Sequence, residues 1–447
     1  GEVSKKEGGK IFGSGSRTPI AISILVKDGS DNHELHYHDI GDYLSRNQKL
    51  DILREKQSII NIDWKKLIPD QNNDWINQRD ENYLSFPSTF DKSSEQIFNN
   101  YTLGVQSGRD WWTIGFGKNH TKKNAELMID NFNYEIERLK YVDDKLSKIN
   151  TSPDFVNWSD VLKKRLLRSE KIEKKTSQMV ITSFRPFTKK WMYFEDAIIH
   201  RPRQYKKISD FGTIIFTTGT GVSKDFSALT TANIPNYHYL DTGRALYEKE
   251  TNSIGDLSNI STFSTQYYNL NEEDTFYYVY GVLHSNEYKM LYSSDLNKAM
   301  ARIPLLKNKE QYVDIGRKLI QLHLNYENQK KWENVEVQIH ENEPDYRVKK
   351  MKHPKKGDLE TIIYNDCITI KNIPIEAYGY IVNGRSAIEW IIDQYRVKTD
   401  KKSGIIDDPN EFSDDPKYIL NLLLSIITVS MKTLELIEEL PEFEVID

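Results

Sequence analysis

Two local sets of residues in this 447-residue chain combine the groups that hold phosphates and base edges. Gly104-Val105-Gln106-Ser107-Gly108-Arg109-Asp110-Trp111-Trp112 places a cation and an acid on a glycine-flanked turn beside two indoles. Thr217 to Thr231, TTGTGVSKDFSALTT, is a loop rich in hydroxyls and glycine that carries Lys224 and Phe226. Each offers backbone N–H groups, hydroxyls (Ser107 in one; Thr218, Thr220 and Ser223 in the other) and one positive charge, which suits contact with phosphates or base edges. The same residue types also make capped turns over buried aromatics.

Charge gives a broader signal. Between Leu162 and Asp225 there are 15 Lys or Arg and 6 Asp or Glu, a net +9; from Ile405 to Asp447 there are 2 basic and 11 acidic residues, a net −9. The overall −5, which alone argues against a nucleic-acid binder, therefore hides a dipolar chain. The basic stretch holds Lys163, Lys164, Arg165 and Arg168, then Arg185, Lys189 and Lys190, then Arg201, Arg203, Lys206 and Lys207. Trp191, Tyr193, Phe194 and Tyr205 are interleaved with them. Lysine and arginine neutralise phosphates and release counterions, and arginine also reads guanine edges. A solvated surface that pairs with the acidic C-terminal end is the competing reading.

Other chemistries fare worse. Gly13-Ser14-Gly15-Ser16 precedes a strand, whereas a dinucleotide loop follows one and opens a helix. Gly219-Thr220-Gly221 is better placed but lacks the third glycine, and no Walker loop occurs. His33, His36 and His38 have metal-like spacing, yet no cysteine lies near them and ordinary strand histidines explain them. Asp274 with Glu287-Tyr288-Lys289 imitates a nuclease Asp…Glu-x-Lys set, but the residues between read as helix where that chemistry needs adjoining strands. No Asn/Asp-Pro-Pro-aromatic tetrad is present to hold an exocyclic amine for methyl transfer. No complete active site and no metal site emerge.

The elements that must position these residues are of mixed type. Ile20 to Val26 is an unbroken apolar run after turn residues and predicts a buried strand. Leu35–His38 predicts a short partner strand, and residues 61–100, rich in Asn, Asp, Ser and Pro, an irregular connection. Residues 121–150 and 158–175 read as charged helices, the first with Leu127, Ile129, Phe132, Ile136 and Leu139 on one stripe. MVITSF, KWMYF, TIIFTT and YHYL within 179–245 predict strands; 273–326 returns to helix, with Ile315, Leu319, Leu322 and Tyr326 on one face. Residues 345–371 suggest a hairpin region and 386–397 a helix. Lys417–Ile437 predicts a helix with Asn421, Ser425 and Thr428 at i, i+4 and i+7. Its apolar core is too short for a bilayer, and no run of 18 apolar residues occurs, so the reading is a core helix and no membrane span.

Size predicts more than one domain. The 51 aromatics (17 Phe, 8 Trp, 26 Tyr) argue against disorder, and the single Cys367 excludes an internal disulfide and suits a reducing cytoplasm. The chain starts at Gly1-Glu2-Val3 without an initiator Met or signal core, as a piece of a longer polypeptide would.

Eight blocks then carry a resemblance: GGKIFGSGSRTPIAISILVKD, IGDYLSRNQKL, DWINQRD, GVQSGRDWW, SFRPFTKKWMYF, DTFYYVYGVLHSNEY, GRKLIQLHLNYE and GYIVNGRSAIEWIIDQYRVKTDKKSGIIDDPNEF. In this order they resemble the C-terminal part of the Type ISP restriction–modification enzymes, bacterial polypeptides that join nuclease, helicase-like ATPase, N6-adenine methyltransferase and target-recognition domains. The resemblance implies an α+β chain. Residues 1–60 would be the remnant of an α/β methyltransferase sheet, 61–100 a connection, and 101–447 a specificity domain for double-stranded DNA, with a helical part from 270 onward. S-adenosylmethionine, ATP and Mg are implied for the parent enzyme in the bacterial cytoplasm, and no cofactor for this chain, which is expected to be non-catalytic alone. Its partners would be DNA and the upstream methyltransferase and helicase-like domains. The alternatives are half of an active N6-adenine methyltransferase whose catalytic part lies upstream, and a scaffold that only packs against the other domains. The candidate DNA contacts are Arg109, Lys163, Lys164, Arg165, Arg185, Lys189, Lys190, Arg201, Arg203, Lys206, Lys207 and Lys224.

Overall fold

A computed structural model of the chain describes residues 20–446 apart from 32, 93, 94, 175–178, 209, 223 and 254. The Gly13-Ser14-Gly15-Ser16 turn and Ser223 lie outside the described residues. The described residues up to Arg79 and those from Asp80 onward form two compact units.

In the first unit, β1 (Leu35–Tyr37) pairs antiparallel with β2 (Lys65–Leu67), His36 opposite Lys66. Helix α1 (Arg46–Lys56) starts at a capping box in which Ser45 Oγ accepts from Gln48 N–H and Gln48 Oε1 from Ser45 N–H. The strand predicted over Ile20–Val26 does not form. The segment is extended but unassigned, with Ile22 81 % and Leu25 94 % exposed. An apolar run becomes a strand only beside a partner for its backbone groups, and no described strand pairs with it.

The second unit is built on two small sheets. One has the order β3 (Thr102–Leu103), β10 (Arg244–Tyr247), β7 (Ile214–Thr217), β8 (Ala228–Thr231), all antiparallel. The other runs β4 (Ile114–Gly115), β6 (Thr188–Tyr193), β5 (Met179–Arg185), β9 (Ile234–Pro235), with β5 and β9 parallel. Alternation along the strands sorts their side chains between cores. Ile214, Phe216, Ala245 and Tyr247 join Phe184 and Met192 of the other sheet in one core, which continues into the C-terminal region. Ile215 and Leu246 face the opposite way, into helices α4 (Glu272–His284) and α5 (Lys309–Leu324). Tyr193 turns outward from the second sheet to α2 (Lys118–Arg138) and α3 (Asp160–Leu167).

Helices α4 and α5 touch at backbone distance: a Cβ on Gly316 would stand 2.0 Å from the Tyr277 carbonyl oxygen. A third sheet has the order β11 (Glu336–Ile339), β13 (Ile368–Lys371), β12 (Ile362–Ile363), and Ile381–Val382 with Arg385–Ser386 forms a hairpin that leads into α6 (Ala387–Gln394). Helix α7 (Tyr418–Glu438) is long and apolar enough to cross a bilayer, contrary to the length argument from sequence, but 67 % of its apolar 18-residue stretch is buried inside the protein. Its polar positions hold a loop: Ser425 Oγ donates to Tyr326 O at 2.6 Å and Thr428 Oγ1 to Lys330 O at 2.7 Å.

The α+β reading holds, with three local corrections. YHYL is a turn, because Asn236 caps it by accepting from His238 N–H instead of continuing the strand. Leu127 is 51 % exposed, and Ala125 and Met128 take its expected place on the buried face. Strand β11 carries too few apolar residues to announce itself, and pairing with β13 makes it.

Candidate nucleic-acid interface

The basic stretch splits into cations used inside the protein and cations left outside. Lys190 is the clearest inner one. Its ammonium meets Asp407 at 2.5 Å between the rings of Phe116 (4.5 Å) and Phe184 (4.3 Å), and Asp407 also accepts from Phe116 N–H. Lys189 pairs with Glu327 at 2.5 Å over Tyr326. Arg109, 2 % exposed, donates to Asn157 O and to Ser159 Oγ at 2.6 Å; burial pushes its pKa down to about 10. Ser107 accepts from Arg109 N–H and donates to Asp110, so both residues of the first candidate set serve to shape their own turn.

Arg185 stands where several loops meet. It stacks on Phe184 at 4.1 Å and donates to Phe184 O and to Asn236 Oδ1. Burial holds its pKa below the usual range, against the charges of Asp110, Asp241 and Asp393, the last on α6. The close approach is built in: a Cβ on Gly104 would fall 2.4 Å from Asn236 O. Lys224 pairs with Asp241, whose carboxyl lies far below its usual value because His238 and Lys224 hydrogen-bond to it. Lys224 also lies over Trp390 at 6.0 Å and against Gly384 at the hairpin tip. Thr218 is buried and exchanges hydrogen bonds with the Ser227 backbone, while Thr220 is half-buried.

The outer cations form two groups. On α3, Lys164 is exposed, Lys163 is half-buried and Arg165 lies 3.6 Å from Glu170. The segment 200–207 is pinned to the first candidate turn: Arg201 N–H donates to Gln106 O at 2.9 Å and His200 N–H to Ser107 O at 3.0 Å. Among the described residues, the exposed Arg201 and Lys207 make no ion pair and the buried Nε of Arg203 has no partner, while Lys206 lies 3.4 Å from Asp196. Burial and Arg201 lower the Arg203 pKa, and Tyr237 and Tyr101 are near enough to act on it. Burial and then Arg201 and Arg109 likewise lower that of His200.

Sequence reasoning missed Asn236, Asp241, Arg244, Tyr101 and the Asn383-Gly384 tip. Arg244 lies 5.9 Å over Tyr101 and is bonded to Thr242 O. The Asn-Gly pair between apolar and polar neighbours was a readable hairpin signal; both residues have positive φ, 53° and 75°. No group of metal-binding side chains occurs among the described residues, and His36 and His38 bond instead to Glu34 and to Asp63 O. Asp274 is paired with Arg317 at 2.6 Å, and Glu287 accepts from Phe443 N–H, both on helices.

Residues 96–422 match the Type ISP C-terminal specificity domain. Comparison with curated proteins gave no match. Among solved structures, a nuclease-deletion mutant of the Type ISP restriction–modification enzyme LlaGI, in complex with a DNA substrate mimic, is 54 % identical with a TM-score of 0.93; the alignment covers 100 % of this chain and 43 % of that one. The ATP-dependent Type ISP enzyme LlaBIII bound to DNA is 44 % identical with a TM-score of 0.85, over 94 % of this chain and 28 % of that one. A DrdV–DNA complex shares the fold at 21 % identity and a TM-score of 0.80, over 92 % of this chain and 44 % of that one. The chain thus spans less than half of each of these larger chains. Since the specificity-domain match covers most of its length, the chain belongs to the Type ISP restriction–modification family.

Proposed function

We propose that this chain is the target-recognition module of a Type ISP restriction–modification polypeptide and reads a site in double-stranded DNA. The observation that carries this reading is the segment 200–207, pinned by backbone hydrogen bonds to Gln106 and Ser107, on which Arg201 and Lys207 are exposed and form no ion pair among the described residues and Arg203 stands between them. LlaGI and LlaBIII, similar to this chain throughout, are solved as complexes with a DNA mimic and with DNA. Phosphate contacts from the outer cations would set position on the duplex, and side chains of the converging loops would reach base edges. Lys163 and the exposed Lys164 on α3 are further candidate phosphate contacts. In this reading residues 1–60 end the methyltransferase domain, 61–100 connect it to the recognition domain, and S-adenosylmethionine, ATP and Mg serve upstream domains of a cytoplasmic bacterial enzyme.

The test is selection from a pool of randomised duplexes by the full chain. Enrichment of one preferred sequence is the expected result. Equal affinity for random duplex and for heparin would instead favour a scaffold. Calorimetry with S-adenosylmethionine separates the methyltransferase alternative: tight binding by this chain alone would overturn the assignment of that cofactor to upstream residues.

A further inference from the structure

We infer that Arg203 is a dedicated ligand for one backbone phosphate of the bound duplex, held in a strained conformation beside His200 and Arg201. The inference rests on the DNA-recognition reading and adds a named site to it.

Three observations meet at this residue. Arg203 has φ +60°, in the left-handed region that Gly and Asn enter readily and other side chains enter at a cost. It is the only arginine with positive φ among the described residues. The conformation is enforced from both sides. Arg201 is locked to Gln106 by two backbone hydrogen bonds, Pro202 fixes its own φ at −72°, and Gln204 and Tyr205 continue as a turn of 3₁₀ helix.

Second, the polar atoms here are unsatisfied. Arg203 Nε and His200 Nδ1 are both shut off from solvent without a hydrogen-bond partner, where buried polar atoms in folded proteins are nearly always paired. Third, no carboxylate forms an ion pair with Arg203 among the described residues. The groups that act most on Arg203 are Arg201, Tyr237, Tyr101 and Tyr205, and Asp160 acts on His200. A half-buried guanidinium with a second arginine beside it and no ion pair among the described residues is complementary to the oxygens of a phosphodiester. Strain kept at such a point marks a ligand contact when nothing in the free protein repays it.

Arg203→Gly and Arg203→Lys in the full chain test this. Duplex binding is followed by fluorescence anisotropy across a salt series, and folding by thermal unfolding. Arg203→Gly removes strain and ligand together. It should raise Tm by about 2 °C yet weaken duplex binding about tenfold, with a log–log salt slope shallower by about 0.9. The loss should be equal for preferred and random duplexes, since a phosphate carries no sequence. Arg203→Lys, which keeps the charge without the fork, should fall between. Wild-type affinity and slope in Arg203→Gly would overturn the site and leave DNA recognition standing. So would a binding loss that comes with a lowered Tm and is shared undiminished by Arg203→Lys, because the residue would then be structural. Failure of the wild-type chain to bind any duplex would overturn the recognition reading, and the site with it. Inorganic phosphate at matched ionic strength is the last arm: displacing DNA from wild type more readily than from Arg203→Gly is the expected result, because both would compete for the same guanidinium, and equal displacement from the two proteins would overturn the site.

Discussion

Lys190 and Arg201 come from the same positively charged stretch of sequence and end in opposite environments. Lys190 lies between two phenylalanine rings with its charge met by Asp407, while Arg201 stands in solvent and pairs with no acid among the described residues. The inner cations, with Arg109 among them, hold loops and sheet in register. The outer ones are left for a ligand. A net +9 in the sequence is therefore two populations, and only one of them can contribute counterion release when a polyanion binds.

The difference can be broken most strongly from the inside. Asp407→Ala should strand a buried ammonium and remove the acceptor of Phe116 N–H, lowering stability by about 3–5 kcal/mol in urea unfolding. A loss below about 1 kcal/mol, the range of exposed pairs, would place Lys190 with the outer cations. Arg109→Ala comes next. It removes two hydrogen bonds from a buried guanidinium and should cost about 2–3 kcal/mol, read as a lower urea midpoint.

Acid extends the comparison to polar groups that are buried neutral. His284 and His323 lie in the helical core, where His323 bonds to Tyr280 at 2.6 Å and to Thr433 at 2.9 Å. Burial pushes the His284 pKa down to about 3 and holds His323 well below 6.5. The unfolded chain thus takes up protons first. The stabilisation these groups give is complete above pH 6.5 and is lost as the pH falls toward 3. At pH 5 the loss from His284 alone is about 2 kcal/mol, and His323 adds to it with the same sign. Calorimetric Tm values between pH 7 and 5 should fall accordingly, whereas an invariant Tm would mean that the imidazoles are not buried. The smallest effect belongs outside: Lys207→Ala should leave stability within about 0.5 kcal/mol while weakening duplex binding severalfold.

Much of the fold was legible because period and punctuation agree with it. The helix expected around Ile315, Leu319 and Leu322 forms, with Ile315 and Leu319 in one core and Leu322 and Tyr326 in another, and Met179–Arg185 forms the expected strand. Strand β11 and the extended Ile20–Val26 were not legible, since a strand is made by its neighbour as much as by its own residues. The site was half legible. Composition located the basic stretch, but whether a given lysine is inside depends on partners far away in sequence. Asp407 lies 217 positions from Lys190, and Glu327 lies 138 from Lys189. The acidic tail does pair with the basic stretch, at Lys190, as a buried contact instead of a solvated one.

The most direct measurement of the central claim is the salt dependence of duplex binding by wild type and by the double variant Arg201→Ala, Lys207→Ala. If the outer cations meet DNA, the log–log slope becomes shallower by about 1.8, twice the increment of one phosphate contact, with the unfolding transition unchanged. Identical slopes in the two proteins would contradict the assignment of these cations to the nucleic acid.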